Sequence, residues 1–265
     1  MARSASEILA ELKATKRRVT VHGKEYTVVE GDLLLDEKKL ARYAEERAEL
    51  EARQERGFDV APQELVGIVD DDNRKVRWKK GLVLTYAVLR ASFDSEARYQ
   101  QVVKAMAQAT ADWEATCGVN FRHEAAADRG GEDCPAPLFT VELVNAGGRF
   151  IASAFFPNDP PEERRVVIDP SFFKENLGFD PVGVLRHELG HVLGFRHEHI
   201  RSGAPPLCPN EPLDHTIDLT EYDPKSVMHY FCGGVGDPKL AITEVDRRGS
   251  RLLYGPPHAE VVYYE

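Results

Sequence analysis

The most chemically informative stretch of the chain runs from His187 to His197 and reads HELGHVLGFRH. His187 and His191 are four residues apart, so on a helix both imidazoles lie on one face and can bind one metal ion. Glu188 follows the first histidine and can reach a water on that metal without being a ligand itself. These residue types at this spacing predict a catalytic zinc site in which Glu188 is the general base.

The third metal ligand has to come from outside that helix. Gly194 follows His191 by three residues, and glycine tolerates the positive φ at which many helices end. The chain can therefore turn sharply at Gly194 and bring His197 back to the metal. Three histidines around an open position fit one catalytic zinc ion, and the pattern is typical of the metzincin endopeptidases.

Other functions remain compatible with these residues. A catalytically silent, zinc-binding interaction protein would keep the histidines, although Glu188 would then have little purpose. A metzincin-like hydrolase that acts on a non-peptide amide would keep the whole set. A plain cluster of core or solvated histidines is the remaining alternative. We predict a zinc endopeptidase, with the silent binding protein as the alternative.

The elements that would position this site alternate along the chain. Apolar runs predict strands over 82–89, 138–144, 147–156 and 165–168, and helical spacing predicts helices over 95–113, 181–194 and 243–253. Strands and helices interleave before the histidine-bearing helix, and little strand follows it. This order predicts an α+β fold with a mixed, twisted sheet, the active-site helix in an N-terminal subdomain, and an irregular C-terminal part.

Two blocks of sequence carry a family resemblance. Residues 187–201 read HELGHVLGFRHEHIR, and residues 226–230 read SVMHY; together they resemble the astacin family of metzincins over about residues 77–255. The resemblance implies an astacin-like catalytic domain over 77–265, divided into an upper subdomain, 77–194, and a lower subdomain, 195–265.

Three further roles are implied by the same resemblance. Met228 would be the methionine of a Met-turn beneath the zinc, and Tyr230 an additional zinc ligand that can swing away to stabilise an oxyanion. Glu198 would contact the N-terminus of the mature enzyme. From the residues alone, Met228 could equally be a core filler and Tyr230 a buried tyrosine.

The first 76 residues resemble an inhibitory pro-segment. Residues 29–33 read VEGDL, similar to a short motif of astacin propeptides in which an aspartate occupies the zinc, and Asp32 is the matching residue. An ordinary Gly-Asp turn is the alternative. No cysteine precedes Cys117, which excludes a thiol switch. Residues 38–56 alternate acidic and basic residues around a thin apolar stripe and predict an exposed helix with i,i+4 ion pairs.

Release of that segment would require a cut between about Gly57 and Trp78. Gly57, Pro62, Gly67 and the acidic run 70–73 are typical of a linker, and the run itself is either a solvated loop or an exposed processing site. Three nearby basic residues, Arg74, Lys75 and Arg77, would be suitable cleavage sites for a trypsin-like protease.

A peptide substrate could add to a free strand edge beside the active-site helix. The run 148–156 is the candidate, because Ala152, Ser153 and Ala154, which follow Ile151, are small enough for a substrate backbone to approach. An ordinary core strand is the alternative. No preferred substrate residue can be inferred from the sequence.

Cysteine usage and composition set the remaining expectations. Cys117, Cys134, Cys208 and Cys232 form no C-x-x-C pair, so local pairing would give Cys117–Cys134 and Cys208–Cys232, with four free thiols as the alternative. The 265 residues are 42% apolar and 29% charged, which suits a globular fold. A net charge of −10 argues against nucleic-acid binding.

No apolar run is long enough to span a membrane, and the first residues lack the apolar centre of a signal peptide. We nevertheless expect a secreted monomer, whose partners are a protein or peptide substrate and an activating protease.

Overall fold

The computed structural model describes residues 2–55, 66–70, 72, 74–130, 136–200, 216–229 and 234–258. It confirms the predicted α+β fold. The helices are α1 (Ala5–Ala14), α2 (Glu37–Glu55), α3 (Glu96–Glu114), α4 (Pro181–Val192) and α5 (Glu244–Tyr254). The strands are β1 (Arg18–Val21), β2 (Lys24–Val29), β3 (Leu33–Leu35), β4 (Val66–Ile68), β5 (Val83–Val88), β6 (Asn120–His123), β7 (Phe139–Leu143), β8 (Ala152–Ser153), β9 (Arg165–Ile168) and β10 (Thr216–Asp218).

Within the described residues, the main sheet has five strands in the order β6-β5-β7-β9-β8. The first four strands run parallel, and β8 is antiparallel to β9 at the edge. Parallel neighbours need crossover connections, and α3 supplies the one between β5 and β6. The sheet is therefore mixed, as predicted, and the candidate substrate strand lies at one of its edges.

The core lies between this sheet and the helices α3 and α4, which pack against each other. Helix α3 begins at Ser95, whose side chain accepts a hydrogen bond from the Arg98 amide, and its buried face carries Tyr99, Val102, Met106, Ala109 and Trp113. This is the face that helical spacing predicts. Trp113 stacks on Phe195 beyond the end of α4, with ring centroids 5.7 Å apart, so α3 buttresses the histidine-bearing segment.

The predicted strand over 147–156 is much shorter in the structure, where only Ala152–Ser153 is extended in the sheet. The cause is local. Gly147 and Gly148 have positive φ, and the buried carboxylate of Asp169 accepts hydrogen bonds from the Ala146 and Gly148 amides. These bonds replace ladder pairing, so the segment before Ile151 is a tight loop rather than a strand.

The N-terminal segment, residues 2–55, contains more structure than the sequence indicated. The predicted helix is α2, with ion pairs such as Arg42–Glu46 along it, but α1 and the antiparallel sheet β1-β2-β3 were not foreseen. Helix α1 packs on α2 and begins with a capping box between Ser4 and Glu7. Ile8 is its buried anchor.

The predicted linker is wrong at its C-terminal end. Strand β4 pairs antiparallel with β10, and Gly67 also forms a bridge with Phe195. Val69 bridges Lys75, and the Asp70 carboxylate accepts hydrogen bonds from the Asp72 and Arg74 amides. Backbone pairing on both sides therefore makes this stretch part of the folded unit.

Little strand follows α4, as predicted: beyond it the described residues contain β10 and α5. Helix α5 begins at Thr243 in a capping box with Asp246. No helix of the described chain is both long and apolar enough to cross a membrane.

Candidate metal centre

Helix α4 places two of the histidines. Its first turn is capped by Asp180, whose carboxylate accepts hydrogen bonds from the Val182 and Gly183 amides, and Pro181 is suited to the first helical position. His187 and His191 then lie one turn apart on a buried face; His187 is 5% exposed and His191 0%.

The turn that brings back the third histidine occurs at Gly194, as predicted. Gly194 has a φ of +91°, a conformation that favours glycine. Its amide donates to His191 O at 2.8 Å, and the Phe195 amide donates to Gly190 O at 2.9 Å. The chain then reverses, and His197 enters the site fully buried.

The three histidines converge on one carboxylate of the N-terminal segment. The Oδ2 atom of Asp32 lies 3.3 Å from His187 Nε2, 3.9 Å from His191 Nε2 and 3.2 Å from His197 Nε2. Candidate ligand atoms of the four residues all lie within 4.8 Å of one another. The structure thus brings together His187, His191, His197 and Asp32, all predicted from the sequence.

Hydrogen bonds on the far side of two rings set their tautomers. His187 Nδ1 donates to Val227 O and His191 Nδ1 donates to Phe195 O, each at 2.8 Å. Since each Nδ1 carries the proton, each Nε2 presents a lone pair to the centre. Burial lowers the pKa of His191 to about 4, which keeps this imidazole neutral at pH 7.

The donor set fits zinc. The Nε2 atoms of His191 and His197 are 3.2 Å apart, a separation at which facing lone pairs repel unless a cation lies between the rings. Asp32 Oδ1 and Glu188 Oε2 are buried with no hydrogen-bond partner among the described residues, which is costly for a polar atom. Three imidazole nitrogens and a carboxylate oxygen are ligands that tetrahedral zinc accepts.

Glu188 lies beside this group and is 2% exposed. Burial and the nearby Asp32 carboxylate together raise its pKa well above the usual range for a glutamate. A buried carboxylate beside a metal-ligand cluster is a candidate acid–base group.

The segment around Met228, for which the resemblance implies a Met-turn, packs against the histidine-bearing helix. The Met228 side chain is completely buried against Gly190; a Cβ on Gly190 would come within 2.2 Å of Met228 Sδ. Asp246 holds the turn by accepting hydrogen bonds from Ser226 Oγ at 2.5 Å and the Val227 amide at 2.9 Å. The turn thereby fixes the carbonyl of Val227 that orients His187.

Glu198 is buried below the third histidine. Its Oε1 accepts a hydrogen bond from the Asp223 amide, and its own amide donates to Met228 O, each at 2.9 Å. Its contact with a mature N-terminus stays a prediction. Tyr230, predicted as an additional ligand and oxyanion group, lies outside the described residues.

Sequence reasoning missed a second carboxylate from the N-terminal segment. The side chain of Glu30 is fully buried, pairs with Arg196 at 2.8 Å, and lies 3.5 Å from His197 Nδ1. Carboxylates in this position orient a histidine ligand. Glu30 belongs to the VEGDL run, and its φ of +52° together with +94° at Gly31 turns the chain so that Asp32 points inward.

The small sheet of the N-terminal segment covers the loop before β8. An apolar cluster joins the two parts of the chain: Val19, Val21, Tyr26 and Val28 on one side, and Ala146, Phe150 and Val167 on the other. Such a contact removes apolar surface from water, and this burial supplies most of the favourable free energy that holds the N-terminal segment against the rest of the chain.

Ion pairs surround that apolar contact. Lys39 pairs with Asp159 at 2.6 Å and Glu163 at 2.7 Å, and Lys24 pairs with Glu163 and Asp36. Burial alone would raise the pKa of Glu163, but hydrogen bonds from Lys24 and Lys39 outweigh it and hold that pKa below its usual value.

A cavity of about 210 Å³ opens beside His187 and Glu188. Its walls are mostly apolar; they include Phe150, Ile151, Ala152, Phe179, Val184 and Leu240, with Gly31 and Asp32 closing one side. Of the predicted substrate strand, Ala152 and Ser153 form β8, each 1% exposed, while Ile151 and Ala154 flank it.

The predicted disulfide at Cys117 is wrong: Cys117 is a free, completely buried thiol. It lies in the core between α3 and α5, where burial raises its pKa to about 12 despite a hydrogen bond with Ser250. Such a thiol stays protonated and packs like a small apolar side chain. Cys134, Cys208 and Cys232 lie outside the described residues.

Comparison with known proteins finds similar sequences for this region. Residues 77–204 match the sequence model of the matrixin peptidases. The chain is 27% identical to mouse stromelysin-3 over 179 residues, which is 63% of this chain and 33% of that protein. It is 31% identical to the zinc metalloproteinase nas-3 of Caenorhabditis elegans over 90 residues, 31% of this chain and 30% of that protein.

The chain thus spans about a third of the length of the curated relatives it matches. Two solved structures are also similar. Myroilysin superposes with a TM-score of 0.48 at 15% identity, over 71% of this chain and 98% of that one. The hatching enzyme HCE-1 of Oryzias latipes gives 0.44 at 17% identity, over 68% and 95%. The family match and the relatives' sequences support a metzincin-type zinc metalloprotease domain.

Proposed function

We propose that this chain is a zinc-dependent endopeptidase of the astacin type, made as a latent precursor in which Asp32 blocks the metal. The observation that carries the proposal is the convergence of three buried Nε2 atoms on Asp32 Oδ2 beside the buried Glu188. His187, His191 and His197 would hold one zinc ion, and Tyr230 would join them as the resemblance implies.

A zinc ion held by these histidines would act as a Lewis acid, able to polarise the scissile carbonyl and to lower the pKa of water. Glu188 takes the proton of the attacking water and returns it to the leaving amine, which typically contributes about 10²–10⁴-fold in rate. The Val227 and Phe195 carbonyls keep His187 and His191 in the binding tautomer throughout. Met228 packs under Gly190 and maintains the spacing between the turn and the helix.

The substrate would be a peptide bound in extended form along β8. This strand is at the edge of the sheet, and its small residues leave room for a second backbone to pair. The cavity beside Glu188 would take a large apolar side chain next to the scissile bond, since Phe179, Val184 and Leu240 form an apolar part of its wall.

Latency would come from residues 1–76. Asp32, which lies against the three imidazoles, would occupy the position that a substrate carbonyl or water needs, and the small sheet of this segment covers the loop that leads into β8. Activation requires a second protease to cut between about Gly57 and Trp78, after which residues 77–265 act as the catalytic domain.

The test uses the full-length chain with a recognition sequence for a site-specific protease inserted after Gly57. Zinc per chain is measured by elemental analysis, and cleavage of a quenched peptide is measured before and after the cut. We expect about one zinc in both forms and activity only after the cut. Glu188→Gln should keep the zinc and lose at least about 10²-fold in kcat/KM. Zinc without activity in any cut form would favour the silent binding protein.

A further inference from the structure

We infer that residues 66–70 and 74–76, here called the clasp, are a positioning element of the zinc site and stay bound to the catalytic domain after activation. The inference rests on the proposed endopeptidase function. It implies that the cut which releases Asp32 leaves Val66 and all following residues in place.

The clasp joins the two halves of the site. Strand β4 lies between two partners: Gly67 pairs with Ile217 of β10 on one side and with Phe195 on the other. Phe195 is in the loop to His197, whereas β10 leads towards the Met-turn at Met228. Backbone pairing of β4 therefore ties the loop of the third histidine to the chain beneath the site.

The clasp also completes the end of the active-site helix. The last carbonyls of a helix have no partner within it, and here they are satisfied from outside. Val192 O accepts from the indole of Trp78 at 2.7 Å, Leu193 O from the Tyr254 hydroxyl at 2.7 Å, and Gly194 O from the Ile68 amide at 3.2 Å. Two of these three donors lie within or just after the clasp.

Close packing reinforces those bonds at Gly194. A Cβ on Gly194 would lie 2.9 Å from Val76 O, so the absence of a side chain there is what lets the second arm of the clasp approach. The two arms are joined by the Val76 amide, which donates to Ile68 O at 2.8 Å. Ile68 and Val69 are both buried.

Loss of the contacts made by the clasp would affect two of the histidine ligands, His191 and His197. Phe195 O accepts the Nδ1–H of His191, and His197 is two residues further on. Movement of the Gly194–Phe195 loop would therefore disturb the tautomer of one ring and the position of another. Partners that orient a ligand are typically worth about 10–100-fold in metal affinity.

The clasp also restricts where activation can occur. Arg74 and Lys75, which would suit a trypsin-like protease, lie inside it, and the Asp70 amide donates to Arg74 O at 2.9 Å. A cut at either residue would separate the two arms, so such a cut would release Asp32 at the cost of the ligand geometry.

The experiment compares Ile68→Pro with Ile68→Val in the chain that carries the cleavable sequence after Gly57. Proline removes the N–H that bonds to Gly194 O, whereas valine keeps it and removes one methylene. After the cut we expect Ile68→Pro to lose zinc to a competing chelator at least about tenfold faster than wild type, with Ile68→Val close to wild type. Equal zinc retention in the two variants would overturn the inference.

A second measurement covers the case in which Ile68→Pro does not fold. In cut wild-type protein, amide hydrogen exchange should show the Ile68 and Val76 amides protected. Rapid exchange at both amides would contradict the clasp. If cut Ile68→Val binds zinc but cleaves no peptide, the proposed enzyme function fails, and zinc retention still decides the role of the clasp.

Discussion

From the cavity beside Glu188 we predict that the enzyme prefers a leucine over an alanine next to the scissile bond. Replacing Val184 by phenylalanine puts a ring into a space of about 210 Å³ whose walls include Phe179 and Leu240. In wild type, a substrate leucine there gains about 0.8 kcal/mol for each carbon buried beyond alanine, or about 2.4 kcal/mol in total. Because each 1.4 kcal/mol is about tenfold, cut wild type should prefer the leucine peptide by about 50-fold in kcat/KM.

In Val184→Phe the leucine no longer fits, so the ratio of kcat/KM for leucine to alanine should fall below about fivefold, mainly through loss on the leucine peptide. The assay uses two quenched peptides that differ only at the position flanking the scissile bond, with the cleavage site verified by mass spectrometry. Val182→Phe, on the same helix but outside the cavity wall, is the matched control. Equal rates on both peptides in wild type, or an unchanged ratio in Val184→Phe, would refute the assignment of this cavity.

Three further predictions concern latency and packing. Asp32→Ala in the uncut chain should leave zinc bound and give activity well below that of the cut enzyme, because the small sheet still covers the approach to β8; full activity in uncut Asp32→Ala would show that the carboxylate alone blocks the site. Glu163→Gln, which breaks ion pairs to the N-terminal segment, should speed the appearance of activity after the cut by about fivefold at pH 7, with the exposed Glu162→Gln as control. Because the pKa of Glu163 is lowered in the folded protein, the stabilisation from its ion pairs is present above about pH 4.5 and is lost as the pH falls through the folded-state pKa. The difference in activation rate between Glu163→Gln and wild type should therefore shrink in acid. A difference independent of pH would argue against the ion pairs. Gly190→Ala forces a methyl group onto Met228 and should destabilise the fold by about 1–3 kcal/mol, measured as a lower midpoint of denaturant unfolding; unchanged stability would mean that the Met-turn packs more loosely than the structure shows.

The sequence predicted those parts of the site whose structure depends on residues close together in the chain. A helix needs only its own apolar spacing, its cap at Asp180 and its stop at Gly194, so the positions of His187, His191 and the return of His197 follow from neighbouring residues. Asp32 was identified through a short motif, and the structure places it against all three rings.

The missed features depend on contacts between distant segments. Glu30 approaches His197 although the two are far apart in the sequence, and Asp246 on α5 accepts a hydrogen bond from the Val227 amide. The linker was mistaken because Gly67 and the acidic turn after it have the composition of a loop, whereas pairing with Ile217 and Phe195 makes a strand there. Backbone pairing of this kind leaves almost no trace in side-chain pattern.

In the proposed zinc site, His197 completes the ligand set of the two helix histidines, and the neighbouring His199 provides the control. His199 is also buried and stacks on His197 at 5.3 Å between ring centroids, but it is outside the ligand group. Zinc per chain should be about one in wild type and in His199→Ala, and should fall close to zero in His197→Ala after dialysis against a weak chelator. Full zinc occupancy in His197→Ala, or equal loss of zinc in both variants, would exclude His197 as the third ligand.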